Sequence, residues 1–204
     1  MNDAPQGQLV NRMIRAARLD RELYAEVAAD TTATQQATFA VIIAALAAAI
    51  GAFIGFQVEP PDPGTFSTGD QEADDANLVW LIFTPILSVI AWLAWAGVAW
   101  FAGTRLISTD AQDVGFLQVA RALGFAQAPG VLNVATFIPG LGVIVQIGVW
   151  LWALATSFFA IRESMRLANG QAIATMILGF IPAFIIGVVI GSVLIAGAYA
   201  GAAT

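Results

Sequence analysis

The sequence predicts an all-α polytopic membrane helix bundle: five transmembrane helices preceded by an amphipathic N-terminal helix, with the N-terminus in and the C-terminus out. Three observations carry this. Residues 77–101 (NLVWLIFTPILSVIAWLAWAGVAWF) hold no charge, and at about 1.5 Å of rise per residue some ~20 apolar residues already cross the roughly 30 Å hydrocarbon core. The whole chain is 59% hydrophobic and 11% charged, with a mean hydropathy of +0.80, which excludes an ordinary soluble fold. Finally, the carboxylates Glu59, Asp62, Asp70, Glu72, Asp74 and Asp75 precede that stretch, whereas Arg105 follows it. Arginine-bearing flanks stay cytoplasmic, so this helix runs from outside to inside and orients all the others.

Taken from the start, residues 1–8 are polar and carry neither a secretory signal nor a myristoylation site. Residues 1–36 form a cytoplasmic N-terminal segment, within which residues 9–29 have helical periodicity. Leu9, Val10, Met13, Ile14, Ala17, Leu23, Tyr24, Val27 and Ala28 gather on one face, and Arg12, Arg15, Arg18, Glu22 and Glu26 on the other. Such a helix either lies in the membrane interface, with Arg12, Arg15 and Arg18 near anionic headgroups, or forms a lid on the bundle. Asp20 falls on the apolar face and favours a protein contact. Thr32 and Gln35 fit a capping box for the next helix.

The membrane domain then occupies residues 37–204. Its first span, 37–56, contains Gly51 and Gly55, a small-residue face that permits close helix approach, either within the chain or between copies. Prolines, glycines and carboxylates make residues 57–76 an exposed external loop, without the D-x-[DN]-x-[DN]-G pattern of a calcium site. The second span, 78–101, carries Pro85, where a kink is expected. The third, 115–138, is apolar enough to cross but includes Gln118, Arg121, Gln127 and Asn133, and Pro129 with Gly130 interrupts it. Two readings of it stand: Arg121 snorkels to the cytoplasmic surface, or Arg121, Gln127, Pro129 and Asn133 form an intramembrane polar feature of the kind transport pathways use. A turn at residues 138–141 leads to the fourth span, 142–161, closed by Arg162 and Arg166. The fifth, 172–198, holds Pro182 and a second small-residue face, Gly187 and Gly191.

Five spans place every arginine-rich connection in the cytoplasm. A re-entrant third segment would send the arginine end of the fourth span outside. Trp92, Trp95, Trp150 and Trp152 lie mid-span, where they fill volume or line a lipid or quinone pocket, and each indole N–H there needs an acceptor.

The chemistry-bearing residues are sparse. The chain has no histidine and no cysteine, and all eight of its bases are arginine. That removes the commonest metal and haem ligands, thiolate chemistry, and Ser–His or Ser–Lys nucleophiles. No phosphate-binding or dinucleotide motif is present, the loop acids sit on an irregular segment unsuited to fixed geometry, and no basic patch marks a nucleic-acid binder. The expectation is a protein without enzymatic activity or cofactor.

The stretch GFLQVARALGFAQAPGVL, with Gly115, Phe116, Arg121, Ala122, Leu123, Gly124, Phe125, Ala126 and Pro129, followed by Trp152, Ala160 and Glu163, resembles the Yip1 domain, in particular its prokaryotic branch. The opening MIRAARLDRELYAEVAADTTATQQA looks like the start of bacterial members. The resemblance covers most of the chain and implies a five-span membrane fold with a cytoplasmic N-terminus. In the eukaryotic branch it implies non-enzymatic proteins that associate with one another and act with small GTPases in vesicle traffic. This chain lacks the DLYGP-type motif of that branch, so a small GTPase partner is not carried over.

The expected function is therefore a non-enzymatic scaffold or accessory subunit of the cell membrane, contacting membrane lipids and associating with itself or a larger membrane complex. The alternatives are a small-solute or ion transporter built on the broken third span, and a membrane-shaping or lipid-sorting protein built on the N-terminal helix.

Overall fold

A computed structural model describes residues 5–58, 72–108, 111, 113–181 and 185. Every regular element among them is helical. In chain order they are α1 (Pro5–Ala17), α2 (Arg21–Ala29), α3 (Ala33–Val58), α4 (Glu72–Phe101) with a π-helical turn (Ala102–Ile107) at its end, α5 (Phe116–Phe125), a 3-10 segment (Ala128–Phe137), α6 (Gly142–Met165) and α7 (Asn169–Ile181). Three stretches are long and apolar enough to cross a bilayer, Ala33–Gly55, Phe83–Ile107 and Gly142–Met165, where the first, second and fourth spans were expected. α7 is a shorter apolar helix. The rest of the expected fifth span, with Gly187 and Gly191, lies outside the described residues, as does most of the acidic loop.

Two sequence expectations need correction, and the break expected in the third segment is present. The N-terminal amphipathic helix is two helices, because Leu19 adopts a left-handed conformation (φ 62°) and Asp20 caps α2. The Asp20 carboxylate accepts from the backbone N–H groups of Glu22 and Leu23 at 3.1 and 3.4 Å, satisfying donors that a helix start leaves free. Asp30, the C-cap of α2, shapes the turn ahead of α3, where a Thr32–Gln35 box was expected: its carboxylate accepts from the Thr32 N–H at 2.9 Å and the Thr32 hydroxyl at 2.6 Å. The third segment is not one helix. α5 stops at Phe125, and Pro129, which lacks the donor a continuing α-helix needs, stands in the first turn of the 3-10 segment that follows.

Side-chain contacts fix the directions of these elements. A Cβ at Gly124, Gly130, Gly51 or Gly55 would meet, respectively, Ala37, Ala44, Asn133 and Phe137, so α5 and the 3-10 segment together run parallel to α3 along most of its length. α4 runs the other way: Trp92 Nε1 donates to the Ala120 carbonyl and Trp100 Nε1 to that of Val114. α6 also returns, with Gly142 beside Thr136 and the Thr156 hydroxyl on the Ala126 carbonyl at 2.7 Å. α7 climbs back along α4, Thr175 near Gly103 and Gly179 near Ala99. The outer faces of α3 (Phe39, Ile43, Leu46, Ile50), α4 (Phe83, Ile86, Ile90) and α6 (Ile144, Ile147, Leu151) are apolar and exposed, a surface suited to lipid and costly in water.

Candidate functional site: a latched hairpin and an interhelical cavity

α1 and α2 fold into a hairpin held by charge. Arg12 pairs with Glu26 at 3.0 Å and Asp30 at 2.8 Å, and donates to Gln36 at 2.9 Å. Arg15 pairs with Asp20 and with Glu26, both at 2.7 Å. Arg12 and Arg15, expected at lipid headgroups, are therefore engaged inside the protein, and among those three arginines only Arg18 is exposed. Leu23, Tyr24 and Val27 are fully buried, the Tyr24 hydroxyl donates to the Ala16 carbonyl at 2.9 Å, and Trp152 of α6 donates to the Ala17 carbonyl at 2.8 Å. The hairpin docks on the bundle through the buried face of α2 and Trp152, while Val10 and Ile14 of α1 stay exposed.

The hairpin's charges depend on pH in a calculable direction. The Arg15 guanidinium holds the Asp20 carboxyl below its usual range. The Thr32 hydroxyl, assisted by Arg12, does the same for Asp30. For Glu26, partial burial pushes upward, but hydrogen bonds from Arg15 and Arg12 outweigh it and the net shift is downward. Carboxylates depressed by folding stabilise the folded form above the ordinary carboxylate range, and that contribution disappears as pH falls through their folded values. The ion pairs of the hairpin are thus expected to hold throughout the range above the ordinary carboxylate values of about 4 and to loosen only as pH falls below that range. Because the chain has no cysteine, spin labels on Asn11→Cys and Glu22→Cys, both exposed sites, would report this directly: a distance distribution still unchanged below about pH 3 would refute it.

Arg121 secures the lid. Its side chain does not snorkel: it is 4% exposed, and its guanidinium donates to the Val27 carbonyl at 3.1 Å, to the Ala28 carbonyl, and to the Thr34 hydroxyl at 3.4 Å. Those carbonyls belong to the last turn of α2, which lacks intrahelical donors and carries the negative end of the helix dipole. A forked cation meets both needs.

Gln127 and Asn133 go elsewhere, so the four polar-feature residues do not form one site. Both line an open cavity of about 450 Å³ between α3, α4, the 3-10 segment, α6 and Phe180 of α7. Pro129 is buried at the helix break and does not line it. Three helices each present one face at spacing i, i+3, i+4, i+7: Val41, Ala44, Ala45 and Ala48; Ser88, Ala91, Trp92 and Trp95; Trp150, Ala153, Leu154 and Ser157. Ser88 and Ser157 were not anticipated as site residues, although that spacing, readable in the sequence, places each serine on the face of a mid-span tryptophan. Among the described residues, no charged side chain lines the cavity. The indole N–H of Trp95 and the carbonyl oxygen of Asn133 are buried without a hydrogen-bond partner, whereas Trp92 and Trp152 each find a carbonyl.

A family model, the Yip1 domain, matches residues 20–191. The chain belongs to the Yip1 domain family. The match starts at Asp20, the cap of α2, and takes in Arg121 and every residue that lines the cavity. α1 lies outside it. Family membership together with the apolar helices makes this Yip1 protein a membrane protein. No curated protein and no solved structure matches the chain significantly.

The faces built on glycine also have definite neighbours. Gly51 lies so close to the 3-10 segment that an added Cβ would run into the Asn133 carbonyl, with the Thr136 hydroxyl at 2.7 Å, whereas at Gly55 the nearest atom would be 3.7 Å away. Gly51 therefore serves contact within the chain.

Proposed function

We propose that this Yip1 domain protein is a non-enzymatic accessory subunit or scaffold of the cell membrane. It crosses five times, with the N-terminal hairpin in the cytoplasm and the C-terminus outside. The alternating directions of α3, α4, the α5 and 3-10 segment, α6 and α7 support five passes. The arginine-bearing ends of α4 and α6 support the orientation. The observation that carries the accessory role is the engagement of Arg121. The one arginine within the third segment is committed to holding the protein's own lid, so a pathway for ions centred on it has no free cation to work with. What the protein offers outward is apolar helix surface and a docked cytoplasmic hairpin, features that serve association with membrane lipids and with other membrane chains.

Gentle extraction followed by native mass spectrometry tests this. A homo-oligomer or a stoichiometric membrane partner is the expected result. A monodisperse monomer that crosslinks to nothing in its own membrane would count against it. A transporter remains the second reading, now resting on Gln127 and Asn133 in the cavity and no longer on Arg121. Membrane shaping by the N-terminal helix is a third reading, supported by the exposed Val10 and Ile14 of α1, while Arg12 and Arg15 face carboxylates.

A further inference from the structure

We propose that the corner between α1 and α2 holds an anionic phospholipid, with its phosphate against Arg18 and Arg21 and its acyl chains against the outer face of α6. The site rests on the association with membrane lipids proposed above. Two contacts fix the corner on α6. Trp152 donates to the Ala17 carbonyl at 2.8 Å, and the Arg21 guanidinium lies over the Phe159 ring, 4.9 Å from its centre. Trp152 and Phe159 share one side of α6 at spacing i, i+7, about 10 Å apart along the axis. The corner therefore runs alongside the arginine-bearing half of α6, and α1 also packs against the 3-10 segment. This places both arginines at the wall of the bundle, beside its lipid-facing surface.

Charge and exposure select the ligand. Arg12 and Arg15 are neutralised by carboxylates of the hairpin, whereas Arg18 and Arg21 are exposed and, among the described residues, form no ion pair. Of the corner's two carboxylates, Asp20 is held by Arg15, which leaves Glu22 alone against both arginines. The surplus is positive, and a guanidinium matches a phosphate in shape as well as charge. Apolar surface adjoins it: Ile14, one turn before Arg18, is exposed, as are Leu151 and Trp152 of α6. Inorganic phosphate would answer the arginines alone. A phospholipid also covers this apolar surface, which continues along α6 through Ile147 and Ile144.

Gly148, one turn before Trp152 on α6, supplies a labelling site, because a Cβ there meets nothing within 4 Å and the chain has no cysteine. Bimane on Gly148→Cys in the full-length protein, held in phosphatidylcholine nanodiscs, would be quenched by acyl-chain nitroxides carried on phosphatidylglycerol or, separately, on phosphatidylcholine. The expected result is quenching by the phosphatidylglycerol probe that saturates and is reversed by unlabelled phosphatidylglycerol. The phosphatidylcholine probe should quench only in proportion to its mole fraction. Each arginine near an anionic lipid surface is worth a factor of about five, so Arg18→Gln and Arg21→Gln should each raise the half-saturating fraction about fivefold. Arg105→Gln, at an exposed arginine on the end of α4, should leave it unchanged. Phosphatidylglycerol quenching that is merely proportional, or a loss as large in Arg105→Gln as in Arg18→Gln, would overturn the proposal and leave the corner to a protein partner or to water. Failure here would not touch the accessory role, which native mass spectrometry tests independently, and a monodisperse monomer there would not alter the lipid preference read by the bimane.

Discussion

Replacing Arg121 by methionine is expected to destabilise the protein by about 3 kcal/mol, since hydrogen bonds to a charged group contribute roughly 1.5–3 kcal/mol each and two buried carbonyls lose their donor. For a chain of this size that corresponds to a fall in unfolding temperature of roughly 6–12 °C, taking about 2–4 °C per kcal/mol. The damage should be local before it is global. Val27 and Ala28 accept from Arg121 directly, so the hairpin detaches first and labels at Asn11→Cys and Glu22→Cys report a broadened distance while α3, α4 and α6 remain helical. Arg121→Lys keeps the charge but cannot fork onto two carbonyls, and less than half of the loss should return. An Arg121→Met protein with an unshifted unfolding temperature and an unchanged label distance would rule out the latch.

The second large effect is expected at Gly51. Gly51→Ala forces a methyl group against the Asn133 backbone carbonyl, with the Thr136 hydroxyl and the Val134 carbonyl at 2.7 and 3.1 Å. Backbone atoms cannot swing aside as a side chain would, and the Asn133 carbonyl already accepts the Thr136 hydroxyl at 2.8 Å. Overpacking of this kind costs about 1–3 kcal/mol, so a drop of about 2–12 °C is expected in thermal unfolding followed by tryptophan fluorescence. Gly55→Ala, one turn away, meets only an ordinary contact at 3.7 Å and should be neutral or stabilise by up to about 1 kcal/mol through helix propensity. Equal effects at the two glycines would show that α3 is not seated on the 3-10 segment as described.

These two sites also mark where sequence reasoning succeeds and where it stops. The long apolar stretches behind α3, α4 and α6 were legible because length and hydropathy suffice to identify a spanning helix. Asp20 on an apolar face points to a protein contact, which it makes with Arg15, but a carboxylate followed by Arg21 and Glu22 is also a helix start, and that second signal marks the break between α1 and α2. Arg121 was recognised as costly within a membrane, but its partners are backbone carbonyls, which every residue carries and no sequence pattern marks. Its destination therefore required the fold. The cavity was half legible: Gln127 and Asn133 stood out as polar residues in an apolar segment, whereas the serines of α4 and α6 gained meaning only when three separate helix faces converged.

The contact between Arg121 and the end of α2 joins residues 94 positions apart, and this sets an order of events during synthesis. At about 5–20 residues per second, some 5–20 s pass between the emergence of Val27 and that of the arginine that will cap it. Throughout that interval the hairpin has its internal ion pairs but no anchor, while α3 and α4 are already being inserted. Docking of the lid is therefore a late event that reports the arrival of the third segment. Chains stopped short of residue 121 should carry an N-terminal hairpin still open to proteases.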